Sequence, residues 1–296
     1  MKPKARFYFG QLLKLGAGAA CLFGSVVVCR ILLGQGTFIA SSLGEAAASP
    51  LRRAAIFAAA VSSYWAFVHF YERRPVVELS PRWRWTLLAA VAGAASIGLT
   101  IVFLYATGRY QLVGFRGFDG VAGLLVIIAI AAILEELAFR ALLFRILEET
   151  VGTTAGLLAS AVVFSVVHLT NHGVHAITPL TVTLGGLMWA GLYIISRNVW
   201  VTAAHHACWN ATIFLIGVPL SGEDWTSQAP WQTTVRGSGL WTGGPFGPED
   251  SLFNILVMAL ICALLVWIAK RRGRWNPGPF RPVAGRAAPA CPGAHA

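Results

Sequence analysis

The sequence predicts an all-α fold, a polytopic membrane bundle of about eight transmembrane helices. Three observations carry this. Only 12% of the 296 residues are charged while 56% are hydrophobic, against about 25% charged in ordinary soluble domains. Several segments run 18 or more residues with few or no charges, long enough to cross a hydrocarbon layer of ~30 Å as a helix. None shows the short alternating pattern of a membrane barrel, and lipid does not satisfy an open backbone, so helices are required. A soluble enzyme, a disordered chain and a disulfide scaffold are excluded.

The spans are expected at 13–34, 54–71, 86–106, 120–147, 154–170, 176–195, 199–217 and 252–270. The first follows MKPKAR and has no small-residue cleavage site at a suitable distance, so it reads as an uncleaved span. With the N-terminus inside, fifteen Lys and Arg fall on the inner side, among them Lys2, Lys4, Arg6, Arg145, Arg197 and Lys270. Five fall on the outer side: Arg52, Arg53, Arg109, Arg116 and Arg236. The asymmetry predicts both termini in the cytoplasm, with Arg52 and Arg53 as its awkward pair. The net charge of +11 is thus assigned to topology, and no nucleic-acid partner is expected. Cys21, Cys29, Cys208 and Cys262 fall in spans and Cys291 in the tail, with no CxxC spacing, which supports neither disulfides nor a zinc finger.

The organisation read from the chain is 1–70 for spans one and two, 71–218 for a catalytic core, 219–251 for an outer loop, 252–274 for the last span and 275–296 for a disordered cytoplasmic tail. The loop is rich in Gly, Pro and Trp. It reads either as a plain translocated connection or as a cap over the outer face.

Ionisable groups inside spans are costly and mark function. Glu135 and Glu136 are adjacent in span four after some 14 apolar residues, which weakens the reading of a solvated helix end. Arg140 is four residues from Glu136 and shares its face, whereas Glu135 points elsewhere. Arg140 is therefore expected to neutralise Glu136 and leave Glu135 available for chemistry; a structural ion pair is the alternative. In span five, Phe164 and His168 are one turn apart, and Phe164 is expected to fill the core beside the site. Glu135 and His168 lie about equally far from Gly152, so an antiparallel hairpin sets them at similar depth. In span seven, His206 and Asn210 share a face while His205 points away. His172 and His175 belong to the outer connection and are expected to be solvated.

One acid, two histidines and an amide suit hydrolysis: the carboxylate takes a proton from water, and His and Asn side chains stabilise an oxyanion. Glu135, His168 and His206 are also a legitimate zinc set; no HExxH helix is present. Buried Glu, His and Arg also occur in proton-coupled transporters, but no repeated halves appear. A non-catalytic membrane scaffold is the other alternative.

These segments resemble the CPBP family of intramembrane proteases, the CAAX prenyl protease 2 or bacteriocin-processing type, with motifs EExxxR, FxxxH and HxxxN. The matching residues are Glu135-Glu136 with Arg140, Phe164 with His168, and His206 with Asn210, and ERRPVVELSPR before span three resembles the family's approach to its core. The resemblance covers roughly residues 70–217. It implies an endopeptidase acting on a membrane-associated or lipidated peptide or protein, in contact with membrane lipid. It further implies that Glu135 and His168 activate water and that His206 and Asn210 form the oxyanion hole. No cofactor is certain on this resemblance, since members are described both as metalloproteases and as metal-free enzymes; zinc is the possible one.

Overall fold

The computed structural model describes residues 3–34 and 45–279. Eight long helices account for the eight apolar segments: α1 (Pro3–Leu33), α2 (Glu45–Ala66), α3 (Trp83–Ala106), α4 (Val121–Val151), α5 (Thr153–His168), α6 (Thr178–Ser196), α7 (Val199–Leu215) and α8 (Leu252–Arg271). Six of these regions are long and apolar enough to cross a membrane, α2 with its continuation to Tyr71. The exceptions are α5 with 16 residues and α7 with 17, the latter carrying His205, His206 and Asn210. The chain is a multi-pass membrane protein, and exposed Leu158, Val162, Val166, Leu256, Leu260 and Leu264 give it a lipid-compatible outer surface.

The core divides into two halves along the bundle. Tyr64, Phe67, Leu137, Phe144, Tyr193 and Ile194 pack in one; Ile97, Leu104, Ile128, Trp209, Ile213 and Phe214 pack in the other. Beside the first half lies a network of charges. Lys14 and Arg145 both approach Glu72, at 3.1 and 2.9 Å. Glu78 accepts from Arg74 at 3.0 Å and from the Tyr64 hydroxyl at 2.6 Å. Burial by itself raises the Glu78 carboxyl, but the hydrogen bonds from Arg74 and Tyr64 prevail and hold it below its ordinary value. The segment before α3 is thereby locked against α4.

Arg52 and Arg53, awkward in the charge count, reach backbone carbonyls of Leu33 at 3.4 Å and Gly123 at 3.2 Å. The start of α1 and the chain after α8 lie at one end of the bundle. Lys14 bonds Glu149 near the end of α4, and Trp275 and Asn276 bond Thr154 and Thr153 at the start of α5. The tail expected to be disordered from 275 therefore begins as an ordered stretch seated on the α4–α5 turn; its remainder lies outside the described residues, with Cys291, Arg281 and Arg286. That turn needs Gly152, whose φ is +87°, because an added Cβ would lie 2.9 Å from the backbone of Pro277 and Gly278.

Two features depart from a simple helix bundle. Within α4, residues Glu136–Phe144 form a π-helical segment, a widened turn of the kind that occurs often at functional sites. At the other end of the bundle, β1 (Tyr110–Phe115) pairs antiparallel with β2 (Trp231–Val235). With residues 216–251 these strands build a folded cap, so the loop expected at 219–251 is structured. The Tyr110 hydroxyl donates to the Thr242 carbonyl at 2.8 Å, and the Asn254 amide at the start of α8 donates to the Glu249 carbonyl at 2.9 Å.

α3 crosses α7 at Gly93, where a Cβ would stand 2.1 Å from the His205 carbonyl oxygen. Since backbone does not yield as a side-chain tip does, Gly93→Ala is expected to destabilise the protein by about 1–3 kcal/mol and to displace the helix carrying His206. A thermal unfolding curve in detergent, compared with that of Gly98→Ala, where nothing lies within 4 Å, checks this.

Candidate active site

The hairpin of α4 and α5 turns at Gly152 and brings Glu135 beside His168. α7 runs alongside α4 and brings in His206 and Asn210. One oxygen of Glu135, Oε2, lies 3.9 Å from Nε2 of His168 and 3.9 Å from Nε2 of His206. That oxygen is buried and has no hydrogen-bond partner among the described residues. Glu135, His168, His206 and Asn210 line a single cavity of about 370 Å³ between the helices and the cap. A smaller space of about 30 Å³ lies beside it, sharing His168, His206 and Ser221. The larger one contains the acid and is the candidate site.

Hydrogen bonds fix the imidazoles. His168 Nδ1 lies 2.8 Å from the Phe164 carbonyl, which only accepts, so Nδ1 carries the proton. His206 Nδ1 lies 2.9 Å from Glu136 Oε1, and a carboxylate likewise accepts. In its neutral form each ring thus presents an Nε2 lone pair toward Glu135. A carboxylate and two imidazole acceptors meeting at one place complement a water molecule, which offers two protons. For His206 to donate from Nε2 to an oxyanion, its ring must hold a second proton. Asn210 donates through its amide in either case.

Glu136 does more than pair with Arg140. The guanidinium approaches its Oε1 at 3.1 Å, and the same oxygen receives His206. Arg140 is itself buried, with its guanidinium carbon 4.4 Å from the Phe164 ring centre and 5.5 Å from that of Trp189. Phe164 thus packs over Arg140 and orients His168 through its carbonyl.

Sequence reasoning missed Trp189. Its ring stacks on His206 with centroids 3.7 Å apart, and its indole N–H donates to His205 Nδ1 at 3.2 Å. His205 is buried and faces away from the cavity, behind this stack. Nothing in the α6 sequence distinguishes Trp189 from a membrane aromatic. The cap, one of the two readings of 219–251, brings in residues that the sequence did not single out. Ser221, held in a left-handed conformation with φ of +48°, receives Asn171 Nδ2 on its carbonyl at 2.9 Å. It gives its own N–H and hydroxyl to Glu249 at 2.8 and 2.7 Å. Burial raises the Glu249 carboxyl, against the lowering effect of the Ser221 bonds. Asp250 is bonded to Thr178 and Thr181 and lies 3.4 Å from His175 Nε2, so His175, expected to be solvated, is half-buried against the cap; His172 is exposed.

Zinc held by such groups at about 2.0–2.2 Å sets neighbouring ligand atoms roughly 3.4 Å apart. The 3.9 Å separations are wider, and among the described residues no group of three His, Cys, Asp or Glu side chains is close enough to hold a metal ion. As placed, the residues do not fit one.

Fold and site together define a class: multi-pass membrane proteins that enclose an acid–histidine site among their helices. Residues 117–212 match the family model described as Rce1-like, type II CAAX prenyl endopeptidase. Through this core segment, about a third of its length, the chain is similar to the CPBP or CAAX protease family, a family of peptidases. Neither the curated proteins nor the solved structures provide a match.

Proposed function

We propose that the protein is an intramembrane endopeptidase that hydrolyses a peptide bond of a membrane-associated or lipidated peptide or protein with water activated by Glu135. The observation that carries this is the buried, unpartnered Glu135 oxygen facing two imidazole Nε2 atoms at 3.9 Å. Glu135 takes a proton from water held at His168, and the water oxygen bonds to the carbonyl carbon while the carbonyl electrons move to oxygen. Asn210, with protonated His206, donates to that oxyanion. When the C–N bond breaks, Glu135 returns the proton to the departing amine. Both termini are placed in the cytoplasm by the Lys and Arg asymmetry.

The test is a comparison of membrane proteomes from cells carrying the wild-type chain and the Glu135→Gln variant, searching for termini that disappear with the carboxylate. Identical termini in both overturn the proposal. Asn210→Ala is expected to lower kcat by about 10²–10³-fold with little change in KM, because the donor acts mainly in the transition state. His205→Ala changes a residue that does not line the cavity and is expected to do less. Turnover on one cleavable membrane substrate checks both, and a His205 defect as deep as that of Asn210 contradicts the assignment of faces on α7. In this metal-free mechanism, activity survives exhaustive chelation. Parallel loss of activity and of about one zinc per chain reverses that part of the proposal.

A further inference from the structure

We infer that the site selects substrates carrying a cationic side chain, read by Glu223 and Trp225 of the cap; this rests on the proposed peptidase reading. The whole chain has a net charge of +11, yet the charged residues lining the candidate cavity are two carboxylates, Glu135 and Glu223, and no Lys or Arg lines it. Glu223 is exposed on the cap and lines the cavity, and its side chain has no ion-pair partner among the described residues. Arg116, whose guanidinium donates to the Thr226 carbonyl at 2.8 Å, does not line the cavity.

The position of Glu223 is built. Its backbone pairs with Leu220 in a tight turn, with N–H to carbonyl distances of 2.8 and 3.0 Å. Within that turn, Ser221 is pinned by Glu249 and Asn171, and Gly222 donates to the Phe246 carbonyl at 2.9 Å. The backbone that carries this carboxylate is thus already ordered before substrate arrives, and only the side chain has to settle. Trp225, two residues on, lines the same cavity and supplies an aromatic face, the other group that attracts Lys and Arg side chains. Two acceptor atoms at the site, Glu135 Oε2 and Asn210 Oδ1, are buried and unpartnered. The cavity therefore offers negative charge and acceptors to what enters, which favours a cationic side chain over an acidic one.

The test separates recognition from hydrolysis by using the full chain with Glu135→Gln in nanodiscs of zwitterionic phosphatidylcholine. The probes are acetylated and amidated hexapeptides of Leu and Ala carrying one Lys, at each position in turn, and the same set with Glu. Binding is measured against protein-free nanodiscs. The best Lys peptide is expected to bind about tenfold more tightly than its Glu counterpart. Adding Glu223→Gln reduces that ratio to about two, and Glu223→Lys inverts it. Matching unfolding curves show that these exposed substitutions leave the fold intact. Equal affinities for both sets, a ratio that survives Glu223→Gln, or binding by neither set overturns the inference. A preserved ratio in a protein whose wild-type form cleaves nothing that Glu135→Gln spares refutes the peptidase reading and leaves this selectivity standing.

Discussion

Glu135→Gln is expected to lower turnover by about 10⁴-fold, the upper end of what a positioned general base contributes, while the protein inserts and folds as the wild type does. Both halves follow from the surroundings of this carboxylate. Its Oε2 has no hydrogen-bond partner among the described residues, and the nearest imidazole nitrogens, those of His168 and His206, stand at 3.9 Å. Folding thus gains little from its charge, and an amide of the same shape removes the need to hold a partly enclosed carboxylate. The unfolding temperature is expected to stay level or to rise, as it does where a site is maintained at the expense of stability. The reaction, by contrast, loses its proton acceptor, and an amide does not replace it. Turnover in liposomes together with the unfolding curve in detergent decides the matter. Residual activity within tenfold of wild type would mean that another group takes the proton.

Hydropathy marks each helix because a span must be apolar throughout, and α3 and α8 begin and end within three residues of the expected limits. α1 begins ten residues before its expected start, because Lys4 and Arg6 are polar yet helical beyond the apolar run. The meeting of Glu135 with His168 was also legible, since equal distances from a glycine turn fix depth in a hairpin. What escaped is set by contacts distant in sequence or by departures from 3.6 residues per turn. The widened turn of α4 over Glu136–Phe144 has no marker in its composition. β1 and β2 are more than a hundred residues apart and become strands by finding each other. The Ser221 turn depends on Glu249, 28 residues on. Glu136 was read as the partner of Arg140, whereas its second partner, His206, is 70 residues away.

That second partner makes the Glu136–Arg140 pair different in kind from Glu135. Glu136→Gln or Arg140→Ala is expected to cost about 3–5 kcal/mol of stability, because each leaves the other charge buried without its counter-ion. The Glu136 and Arg140 side chains are 0% and 2% exposed, so water does not make up the loss. Arg140 retains the faces of Phe164 and Trp189 and a long 3.5 Å approach to the Gly186 carbonyl, which do not neutralise it. Replacing both together, as in Glu136→Leu with Arg140→Leu, removes both charges and is expected to recover part of the stability. Turnover is not expected to recover. His206 Nδ1 has then lost the acceptor that fixes its proton and ring, and only the stack on Trp189 still orients it. Stability and activity are therefore expected to separate: both fall in the single variants, and stability alone returns in the double. Unfolding curves and turnover for the three proteins provide the measurement. If the singles unfold at the wild-type temperature, the pair does not hold the bundle; if the double turns over as the wild type does, Glu136 does not orient His206.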